Sequence, residues 1–496
     1  MAKEVDEDDE GVEKQRKAKM KRSLLAGDVH GSYRTQENVN NWRKRPLFKR
    51  DGKYLSFESG REAASLLVDE ARRRDPFQVD FLHAVQEASL DIAVMMEKAP
   101  KLAWVFKQLM EPERLVTFRI PWTDDQGNSR INRGYRIQYS SALGPYHGGL
   151  RFNPQLSHGT VRMLGWEQTM KNALTGYPIG GSRGGSDFDP SNKSLNEIRR
   201  FCHSFMTELS DFIGPDFDTL ETDMGVGASE MAALHHSYQA IEGDDSTSEN
   251  LFGACVLFPE ASGFGSVYFA ERALQVRFND TLAGKKCLLS GSGTLARSSA
   301  LKLLDKGALP ITFSDSTGYI VDTENGFSIG DIENIAKIKD SNATLKDYAR
   351  STKRTFIEAG SLWEQVRGDL AFPSHNYGEI NADDSVLLAD NGCIAVFENS
   401  DRACTSNAQL TLDERNVLHA PSKTVNSGSV FASALAGTGV TTKAEMDVKL
   451  RQEMRDLHDR VTETADTYGY EGNLRAGANI LSFVTIANSP MYTNDH

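Results

Sequence analysis

The sequence predicts an α/β protein with two domains. The chain has 496 residues, which is enough for two or three domains of ordinary size. Helical and strand patterns follow one another through the first half, and a strand–turn–helix–strand pattern lies between residues 285 and 315. Hydrophobic residues make up 39% of the chain and charged residues 25%, a balance typical of a globular protein with a packed core.

The N-terminal segment differs in composition from the rest of the chain. Residues 1–50 are polar and mixed in charge, which predicts an arm that is flexible or is ordered by a protein partner. Acidic residues between Glu4 and Glu10 precede a basic stretch from Lys14 to Arg22, without an apolar core. This pattern fits neither a secretory signal nor an intact transit peptide, and it leaves open a transit peptide already removed by processing.

Helices and strands are predicted in turn after this arm. Two groups of apolar residues recur at helical spacing, namely Ala63, Leu66, Leu67 and Ala71, then Val85, Leu90, Ile92, Met95 and Met96. Strands are predicted at Leu115–Ile120 and Gly134–Ser141, and an amphipathic helix at Leu195–Ile213.

A βαβ unit is predicted in the second half of the chain. Lys285 to Ser290 is a short apolar strand, the letters GSGTLA follow at once, and Arg297 to Lys306 has a helical pattern. A second strand, Pro310 to Ser314, ends on Asp315. Further strands and helices are predicted at Asp369–Phe372, Cys393–Phe397, Lys443–Tyr468 and Ala478–Ala487.

The glycine turn of this unit is a candidate dinucleotide site. Its G-x-G-x-x-A pattern permits a tight turn, and the following helix offers unpaired N–H groups to a pyrophosphate. An acid about 20 residues further on binds the adenosine ribose in such units, and Asp315 has that place. The candidate cofactor-binding residues are Gly291, Ser292, Gly293, Thr294, Leu295, Ser314, Asp315, Ser316 and Lys339. Serines and a lysine near the acid suit a 2′-phosphate, which favours NADP over NAD; the alternative is a turn that binds nothing.

Composition also excludes several classes of protein. The formal net charge of −13 argues against a nucleic-acid-binding protein. No apolar run approaches the roughly 20 residues that span a bilayer. The five cysteines are scattered and show no metal-ligand spacing, so we expect free thiols in a reducing intracellular compartment and no metal site. The compartment would be the cytoplasm, or a mitochondrion or plastid after processing.

Several longer motifs identify a family. They are SSALGPYHGGLRFNP at Ser140–Pro154, GWEQTMKNALTGYPIGGSRGGSDFDP at Gly165–Pro190, DMGVGASEM at Asp223–Met231, PEASGFG at Pro259–Gly265 and RAGAN at Arg475–Asn479. With GSGTLA and SDSTG, these segments resemble the hexameric NADP-dependent glutamate dehydrogenases, within the Glu/Leu/Phe/Val dehydrogenase family. The resemblance runs from about residue 55 to the C-terminus, in the family's order and spacing.

The resemblance implies a domain organisation and a reaction. A substrate and oligomerisation domain would comprise residues 51–255 and 440–496, and a Rossmann-like nucleotide-binding domain residues 256–439. The family implies a homohexamer that converts 2-oxoglutarate, ammonia and NADPH to glutamate, reversibly. Position by position, Gln168 and Lys171 match ligands of a substrate carboxylate, and Asp223 matches the aspartate that transfers protons. Val430 and Ser433 match residues at the side-chain end of the substrate.

Other positions depart from the family pattern. Arg183 in GGSRGG stands where the family has the catalytic lysine, and a guanidinium does not become a neutral base at working pH. His147 in GPYHGG replaces a lysine that binds the side-chain carboxylate, and an imidazole carries a full charge only when protonated. Phe258 and Ser229 replace arginines, and Asp401 replaces an asparagine near the nicotinamide. The segment PSKTVNSGS (Pro421–Ser429) loses two glycines.

These departures predict a glutamate dehydrogenase homologue that is catalytically degenerate and serves a structural or regulatory role as an oligomer. The alternative is an active NADP-dependent glutamate dehydrogenase in which Arg183 orients the substrate and Asp223 or water handles protons. A third hypothesis is a dehydrogenase for another amino acid, because loss of a lysine at His147 would admit a different side chain.

Overall fold

A computed structural model describes residues 59–493, apart from 192, 244–250, 252–257, 342 and 359. The N-terminal arm, residues 1–50, lies outside the described residues. No helix within the described ranges is long and apolar enough to cross a membrane. The four cysteines in this part of the chain are free and buried, and they are Cys202, Cys287, Cys393 and Cys404.

Eighteen α-helices are named here, in chain order within the described residues. They are α1 Gly60–Arg74, α2 Val79–Lys98, α3 Lys101–Leu109, α4 His158–Thr175, α5 Leu195–Leu209, α6 Ala228–Glu242, α7 Ala261–Phe278, α8 Thr294–Asp305, α9 Ile329–Asp340, α10 Leu345–Thr352, α11 Leu362–Gln365, α12 Ala382–Asp390, α13 Ser406–Glu414, α14 Ser422–Val425, α15 Gly428–Gly437, α16 Lys443–Thr467, α17 Leu474–Ala487 and α18 Pro490–Thr493.

The strands of the described chain form three sheets. They are β1 Arg114–Thr123, β2 Ser129–Ser140, β3 Tyr146–Phe152, β4 Gly181–Ser186, β5 Asp218–Thr222, β6 Lys286–Leu289, β7 Leu309–Pro310, β8 Thr312–Asp315, β9 Gly318–Val321, β10 Thr355–Ile357, β11 Leu370–Phe372, β12 Ala395–Phe397 and β13 Leu418–Ala420. The strand orders are β1-β2-β4-β3-β5, β13-β12-β11-β6-β7 and β10-β9-β8.

The first sheet is mixed. β1, β2 and β4 pair antiparallel, whereas β3 runs parallel to both β4 and β5. β3 and β4 are buried along their whole length, because helix α4 covers the sheet and is itself buried from Val161 to Thr175. A buried Arg136–Asp218 ion pair joins the second strand to the fifth. The central strands are therefore held on both faces, which fixes the side chains they carry.

The second half contains a parallel sheet, as the βαβ pattern predicts. Its strands pair in parallel register, for example Leu370 with both Ala395 and Cys287. The predicted strand Pro310–Ser314 is divided between two sheets. Leu309–Pro310 joins the parallel sheet, and Thr312–Asp315 turns into the antiparallel one, where it pairs with β9.

Helix boundaries follow local capping chemistry. The helix predicted at Leu195–Ile213 begins as expected, where Ser194 and Glu197 form a reciprocal capping box. It ends earlier than predicted, at Leu209, and a 3₁₀ turn at Ser210–Phe212 follows. A 3₁₀ turn is common at the C-terminus of an α-helix, because the last carbonyl groups have no partner within the helix.

Two large hydrophobic cores support the halves of the molecule. One lies between helices α1–α4 and the first sheet and includes Phe483 and Ile486 from α17. The other lies around the parallel sheet and α7 and includes Met454 and Leu457 from α16. Helix α17 contributes to both cores, since Leu474 and Ala478 belong to the second one. It therefore joins the two halves of the molecule.

Candidate active site

The cleft residues predicted from the sequence are carried by several elements of both halves. The elements are β3 for His147 and Arg151, α4 for Gln168 and Lys171, β4 for Arg183, α15 for Val430 and Ser433, and the ends of β5 and β12 for Asp223 and Asp401. Side-chain contacts join Arg183, Asp223 and Lys171 at one end of the cleft, which we call the carboxylate end. His147 lies beside Glu221 and Thr219, at what we call the side-chain end.

Arg183 is the central side chain of the carboxylate end. Its two terminal nitrogens donate hydrogen bonds to different carboxylates, at 2.8 Å to Asp223 Oδ2 and 3.1 Å to Asp401 Oδ2. The guanidinium lies directly over Gly149, where an added Cβ would come within 2.5 Å of it. Glycine at that position is therefore needed for the arginine to reach both acids.

A second arginine shares the same two acids. Arg151 donates to both oxygens of Asp223, at 2.8 and 3.1 Å, and its Nη2 lies 3.4 Å from Asp401 Oδ2. Lys171 is placed more loosely, since its Nζ is 3.6 Å from Asp401 Oδ1. Three cations thus face the two carboxylates of Asp223 and Asp401.

Asp401 is the residue that joins the halves of the molecule at this point. It follows strand β12 of the parallel sheet, whereas all three cations belong to the first half. Burial raises the pKa of Asp401, but Lys171, Arg183 and Arg151 outweigh burial and hold the pKa well below its usual range. Its carboxylate is therefore ionised and bound to the cations of the cleft.

The side-chain end has different chemistry. His147 Nδ1 is 2.7 Å from Thr219 Oγ1, and its Nε2 is 3.6 Å from Glu221 Oε2. Burial raises the pKa of Glu221, but His147 and then Lys171 outweigh burial and bring the pKa down to about 2. Glu221 is therefore an anion at neutral pH, held inside the cleft.

Gln168 is fixed by its helix and not by the cleft. Its Nε2 donates to Asn172 Oδ1 at 2.7 Å, and Asn172 in turn donates to the backbone oxygens of His147 and Gly180. The two residues predicted at the side-chain end of the substrate lie together on α15, where Val430 is fully buried and Ser433 is half-buried. The amide of Gln168 is thereby oriented before any ligand binds.

The loop that carries the Asp401 carboxylate also carries a cation that contacts the other half of the molecule. Arg402 donates to Glu87 at 3.0 Å and to Glu167 at 3.3 Å, and Lys423 lies 3.1 Å from Glu167. Burial raises the pKa of Glu87, but Arg402, Arg475 and Lys423 outweigh burial and lower the pKa to about 2. Buried ion pairs of this kind bring the halves together beneath the cleft.

The glycine turn has the geometry that the sequence predicts. Gly291 has φ +73°, and a Cβ there would lie 3.0 Å from the backbone oxygen of Ser374. Gly293 precedes α8, and a Cβ added to it would meet no atom within 4 Å. The helix has no acidic residue in its first turn, and open space lies beside Gly293, so the turn fits a pyrophosphate.

Both carboxylate oxygens of Asp315 accept hydrogen bonds from groups of the protein. Its Oδ1 accepts hydrogen bonds from the backbone N–H and hydroxyl of Thr317, and its Oδ2 accepts from Lys339 Nζ and the Leu345 N–H. Burial raises the pKa of Asp315, but these donors outweigh burial and lower the pKa. The contact expected with an adenosine ribose would require some of these donors to move.

The remaining predicted cofactor residues surround the turn. Ser314 is tied to it, because the Gly291 N–H donates to Ser314 Oγ at 2.8 Å and the Ser314 N–H donates to the Gly291 oxygen. Ser316 and Thr294 are exposed, Leu295 is half-buried and Ser292 is buried. Phe258, at a family arginine position, is part of the hydrophobic core.

A buried acid supports the turn from below. The Ser290 hydroxyl donates to Glu379 Oε1 at 2.9 Å, and the His375 N–H donates to the same oxygen at 3.1 Å. Burial raises the pKa of Glu379 to about 7 despite these donors. The carboxyl group is therefore partly protonated at neutral pH.

One buried group outside both sites has residue types that bind metals. Glu398, Cys404 and His419 lie close together, and His419 Nε2 contacts Glu398 Oε1 directly. This contact satisfies the imidazole nitrogen and the carboxylate without an ion.

Two residues of the cleft are missed by sequence analysis. Glu221 lies on β5, two residues before Asp223, and Arg402 follows Asp401 directly. Both are charged residues next to positions that the resemblance singles out, which is a signal that could have found them. What the sequence does not show is that Glu221 points toward His147 and that Arg402 points across to Glu87.

Two family models match most of the chain. A Glu/Leu/Phe/Val dehydrogenase dimerisation domain matches residues 112–240, and the Glutamate/Leucine/Phenylalanine/Valine dehydrogenase domain matches residues 253–493. The chain therefore belongs to the Glu/Leu/Phe/Val dehydrogenase family, with an N-terminal dimerisation domain and a C-terminal nucleotide-binding domain.

Individual relatives agree with this assignment. NADP-specific glutamate dehydrogenase of Chlorella sorokiniana is 38% identical over 435 residues, which are 85% of this chain and 82% of the relative. The enzyme of that name from Giardia intestinalis is 38% identical over 438 residues, 85% of this chain and 97% of the relative. The crystal structure of Plasmodium falciparum glutamate dehydrogenase has a TM-score of 0.83 and 33% identity, and covers 91% of this chain and all of that one.

Proposed function

We propose that this protein is a catalytically degenerate glutamate dehydrogenase homologue with a structural or regulatory role as an oligomer. The observation that carries the proposal is the binding of Arg183 to both Asp223 and Asp401. At the position of the family's catalytic lysine, the chain has a cation that cannot lose its proton. That cation is already paired with acids of the protein.

Asp223 is poorly placed to transfer protons in this arrangement. Its carboxylate accepts three hydrogen bonds, two from Arg151 and one from Arg183. Charge-assisted hydrogen bonds to a guanidinium are about twice as strong as neutral ones. A carboxylate acting as a base would have to leave these bonds, which opposes the transfer.

Asp401 opposes substrate binding at the carboxylate end. Its carboxylate binds Arg183 and Arg151 and lies near Lys171, which matches a ligand of the substrate carboxylate. A substrate carboxylate would compete with a fixed internal one for the same cations. The internal carboxylate has the advantage that it loses little translational freedom when it binds.

The nucleotide site supports retained binding of NADP. The turn at Gly291 and Gly293 fits a pyrophosphate, Ser314 and Lys339 lie beside Asp315, and the relatives named above are NADP-specific. We assign the substrate domain to residues 51–255 and 440–496 and the nucleotide domain to 256–439. Lys339 is the cation nearest to a 2′-phosphate bound there.

The oligomer would be a homohexamer in a reducing compartment within the cell. Its support is the match to a dimerisation domain, together with large apolar side chains exposed on the described chain, such as Phe77 at 95% and Ile131 at 68%. Residues 1–50 would bind a protein partner of this assembly.

An active NADP-dependent glutamate dehydrogenase is the second candidate. The identity of 38% to enzymes of that name favours it, together with the presence of Gln168, Lys171 and Asp223 in the cleft. In that case Arg183 would orient the substrate, and Asp223 would exchange its arginine contacts for ammonia and water.

An NADPH oxidation assay decides between the two. The purified oligomer is incubated with 2-oxoglutarate and ammonium, beside the variants Arg183→Lys and Arg183→Lys/Asp401→Asn. We expect no turnover by the unaltered protein. We expect little gain from the single variant, because Asp401 would still bind the new lysine. Arg200→Lys is the control, since Arg200 is part of an exposed ion pair with Asp125.

Clear turnover by the unaltered protein would overturn the proposal and establish the second candidate. Robust turnover by Arg183→Lys alone would show that the degeneracy rests on one residue. Light scattering on every variant confirms that a folded oligomer is compared in each case.

A further inference from the structure

A side chain of the protein itself bridges the two halves of the molecule at the cleft. Asp401 belongs to the second half, and its carboxylate contacts three cations of the first half, which are Arg183 at 3.1 Å, Arg151 at 3.4 Å and Lys171 at 3.6 Å. Asp401 and the three cations are all buried. An anion from one half therefore occupies the point where cations of the other half converge.

The next residue makes two further ion pairs across the same boundary. Arg402 contacts Glu87 on α2 at 3.0 Å and Glu167 on α4 at 3.3 Å. The guanidinium and both glutamates are buried. Because Asp401 and Arg402 are adjacent in the chain, moving this loop away from the first half would separate buried pairs of both polarities together.

The cations of the first half favour this closed arrangement. Arg151 and Arg183 both bind Asp223, so without Asp401 the two guanidinium groups would share a single carboxylate, and Lys171 would lose the carboxylate that it contacts. Like charges a few ångströms apart repel each other, and a further carboxylate among them offsets that repulsion. Burial raises the pKa of Asp401, but Lys171, Arg183 and Arg151 outweigh burial and lower the pKa, so the carboxylate is stabilised in this position.

The negative charge of Asp401 is what makes this bridge independent of a ligand. The family pattern has asparagine at this position, and a neutral amide would leave the cations of the first half without an anion from the second. An anionic ligand would then be needed to draw the two halves together. In this chain the anion is tethered by its own backbone, so it binds without the loss of translational freedom that a free ligand incurs.

We propose that Asp401 and Arg402 form an autoinhibitory interdomain contact, which holds the cleft closed in the resting protein. The closed cleft is the stable form of the oligomer, and it opens only when the ion pairs of these two residues are broken. The inference rests on the proposed function, because it assigns a conformational consequence to the same Asp401 contact that competes with substrate.

Acetylation of lysine side chains in the full-length oligomer tests this proposal. Acetic anhydride is added in limiting amounts, and mass spectrometry gives the rate at each lysine. Lys171 becomes accessible only when the cleft opens, so it should react at least about tenfold more slowly than Lys443, whose side chain is 69% exposed. Small-angle X-ray scattering on the same samples gives the radius of gyration.

The variant Asp401→Asn keeps the shape of the side chain and removes its charge. We expect acetylation of Lys171 to become about tenfold faster, and the radius of gyration to increase, because the second half no longer supplies an anion. Asp390→Asn is the matched control, since Asp390 makes an exposed ion pair with Arg415 in the same half. It should behave as the unaltered protein.

A second variant acts on the other residue of the contact. Arg402→Gln should also increase the Lys171 rate and the radius of gyration, although the ion pairs that it removes involve Glu87 and Glu167. Lys302 is buried on α8 and paired with Asp447, away from the cleft. Its rate should stay the same in both variants if only the cleft opens.

Four outcomes would overturn the proposal. They are acetylation of Lys171 in the unaltered protein as fast as that of Lys443, equal Lys171 rates in the unaltered protein and Asp401→Asn, faster Lys171 acetylation without a larger radius of gyration, and an equal rise at Lys302. The third would mean that Asp401 only covers Lys171, and the fourth that the whole fold is loosened.

These measurements are separate from the test of catalysis. None of the four outcomes involves turnover, so each leaves the proposal of a degenerate enzyme standing. Turnover of 2-oxoglutarate by the unaltered protein would end that proposal, and the acetylation rates and scattering would still decide whether the resting cleft is closed.

Discussion

The substrate cleft and the nucleotide turn of this protein use different chemical groups to bind their ligands. In the cleft, the working groups are charged side chains, and Arg183 and Asp401 at two key positions now bind each other. In the turn, the working groups are backbone N–H groups held by Gly291 and Gly293, and the geometry is retained. A function that depends on side-chain charges changes with substitution of any of those side chains. A function that depends on backbone geometry is sensitive mainly to substitution of the few glycines that form the turn.

The physical reason is the range of the forces involved. A buried charge interacts strongly with every other charge in the cleft, so a new acid such as Asp401 changes what Lys171, Arg151 and Arg183 can bind. A backbone turn depends on local φ and ψ angles and on close packing, which distant substitutions do not alter.

The largest expected effect would come from removing Arg402 beneath the cleft. Arg402→Met would leave Glu87 without its closest cation and Glu167 with Lys423 alone. We expect a loss of about 3–5 kcal/mol in the free energy of unfolding, measured by urea denaturation. Arg415→Met, which breaks an exposed ion pair with Asp390, is the control and should cost no more than about 1 kcal/mol. If both variants lost the same free energy of unfolding, the buried ion pairs of Arg402 would contribute no more to stability than an exposed ion pair.

The second effect concerns the buried acid below the nucleotide turn. Because the folded pKa of Glu379 is raised from 4.5 to about 7, the folded protein keeps this proton after the unfolded chain has lost it. The contribution of Glu379 to stability is therefore fully present below pH 4.5 and is lost as the pH rises through 7. Glu379→Gln cannot ionise and escapes this loss.

We therefore expect Glu379→Gln to gain about 3 kcal/mol of stability relative to the unaltered protein between pH 4 and pH 8, at 1.36 kcal/mol per pKa unit. Urea denaturation of both proteins at these two pH values gives the difference, in which the other titrating groups largely cancel. A difference that does not change with pH would show that the carboxyl group is ionised throughout.

The smallest expected effects come from alanine substitutions of the two glycines of the nucleotide turn. Gly291→Ala places a Cβ at φ +73° and 3.0 Å from the Ser374 oxygen, which should destabilise the protein by about 1–2 kcal/mol and weaken NADPH binding. Gly293→Ala meets no protein atom and should leave the free energy of unfolding within about 0.5 kcal/mol. Fluorescence titration with NADPH then separates the roles: Gly293→Ala weakens binding only if a pyrophosphate approaches that glycine.

Much of the fold and of the candidate site could be predicted from local sequence. The strand before Gly291, the helix after it and Asp315 at the end of a strand lie where the pattern placed them. The resemblance also identified Arg183, His147 and Asp401 as departures. The division of Pro310–Ser314 between two sheets could not be predicted, because it depends on which neighbouring strand each residue meets.

The sequence by itself determined the family, the two-domain α/β architecture and the residue types at each position of the cleft, since periodicity, glycine turns and motifs are local properties. Only the tertiary structure decided how those charges are paired. Asp401 binds Arg183, Arg402 binds Glu87, and Glu221 faces His147 across strands and domains far apart in the chain. A carboxylate's effect depends on the distance and burial of its partners, and these are set by packing and not by the order of residues.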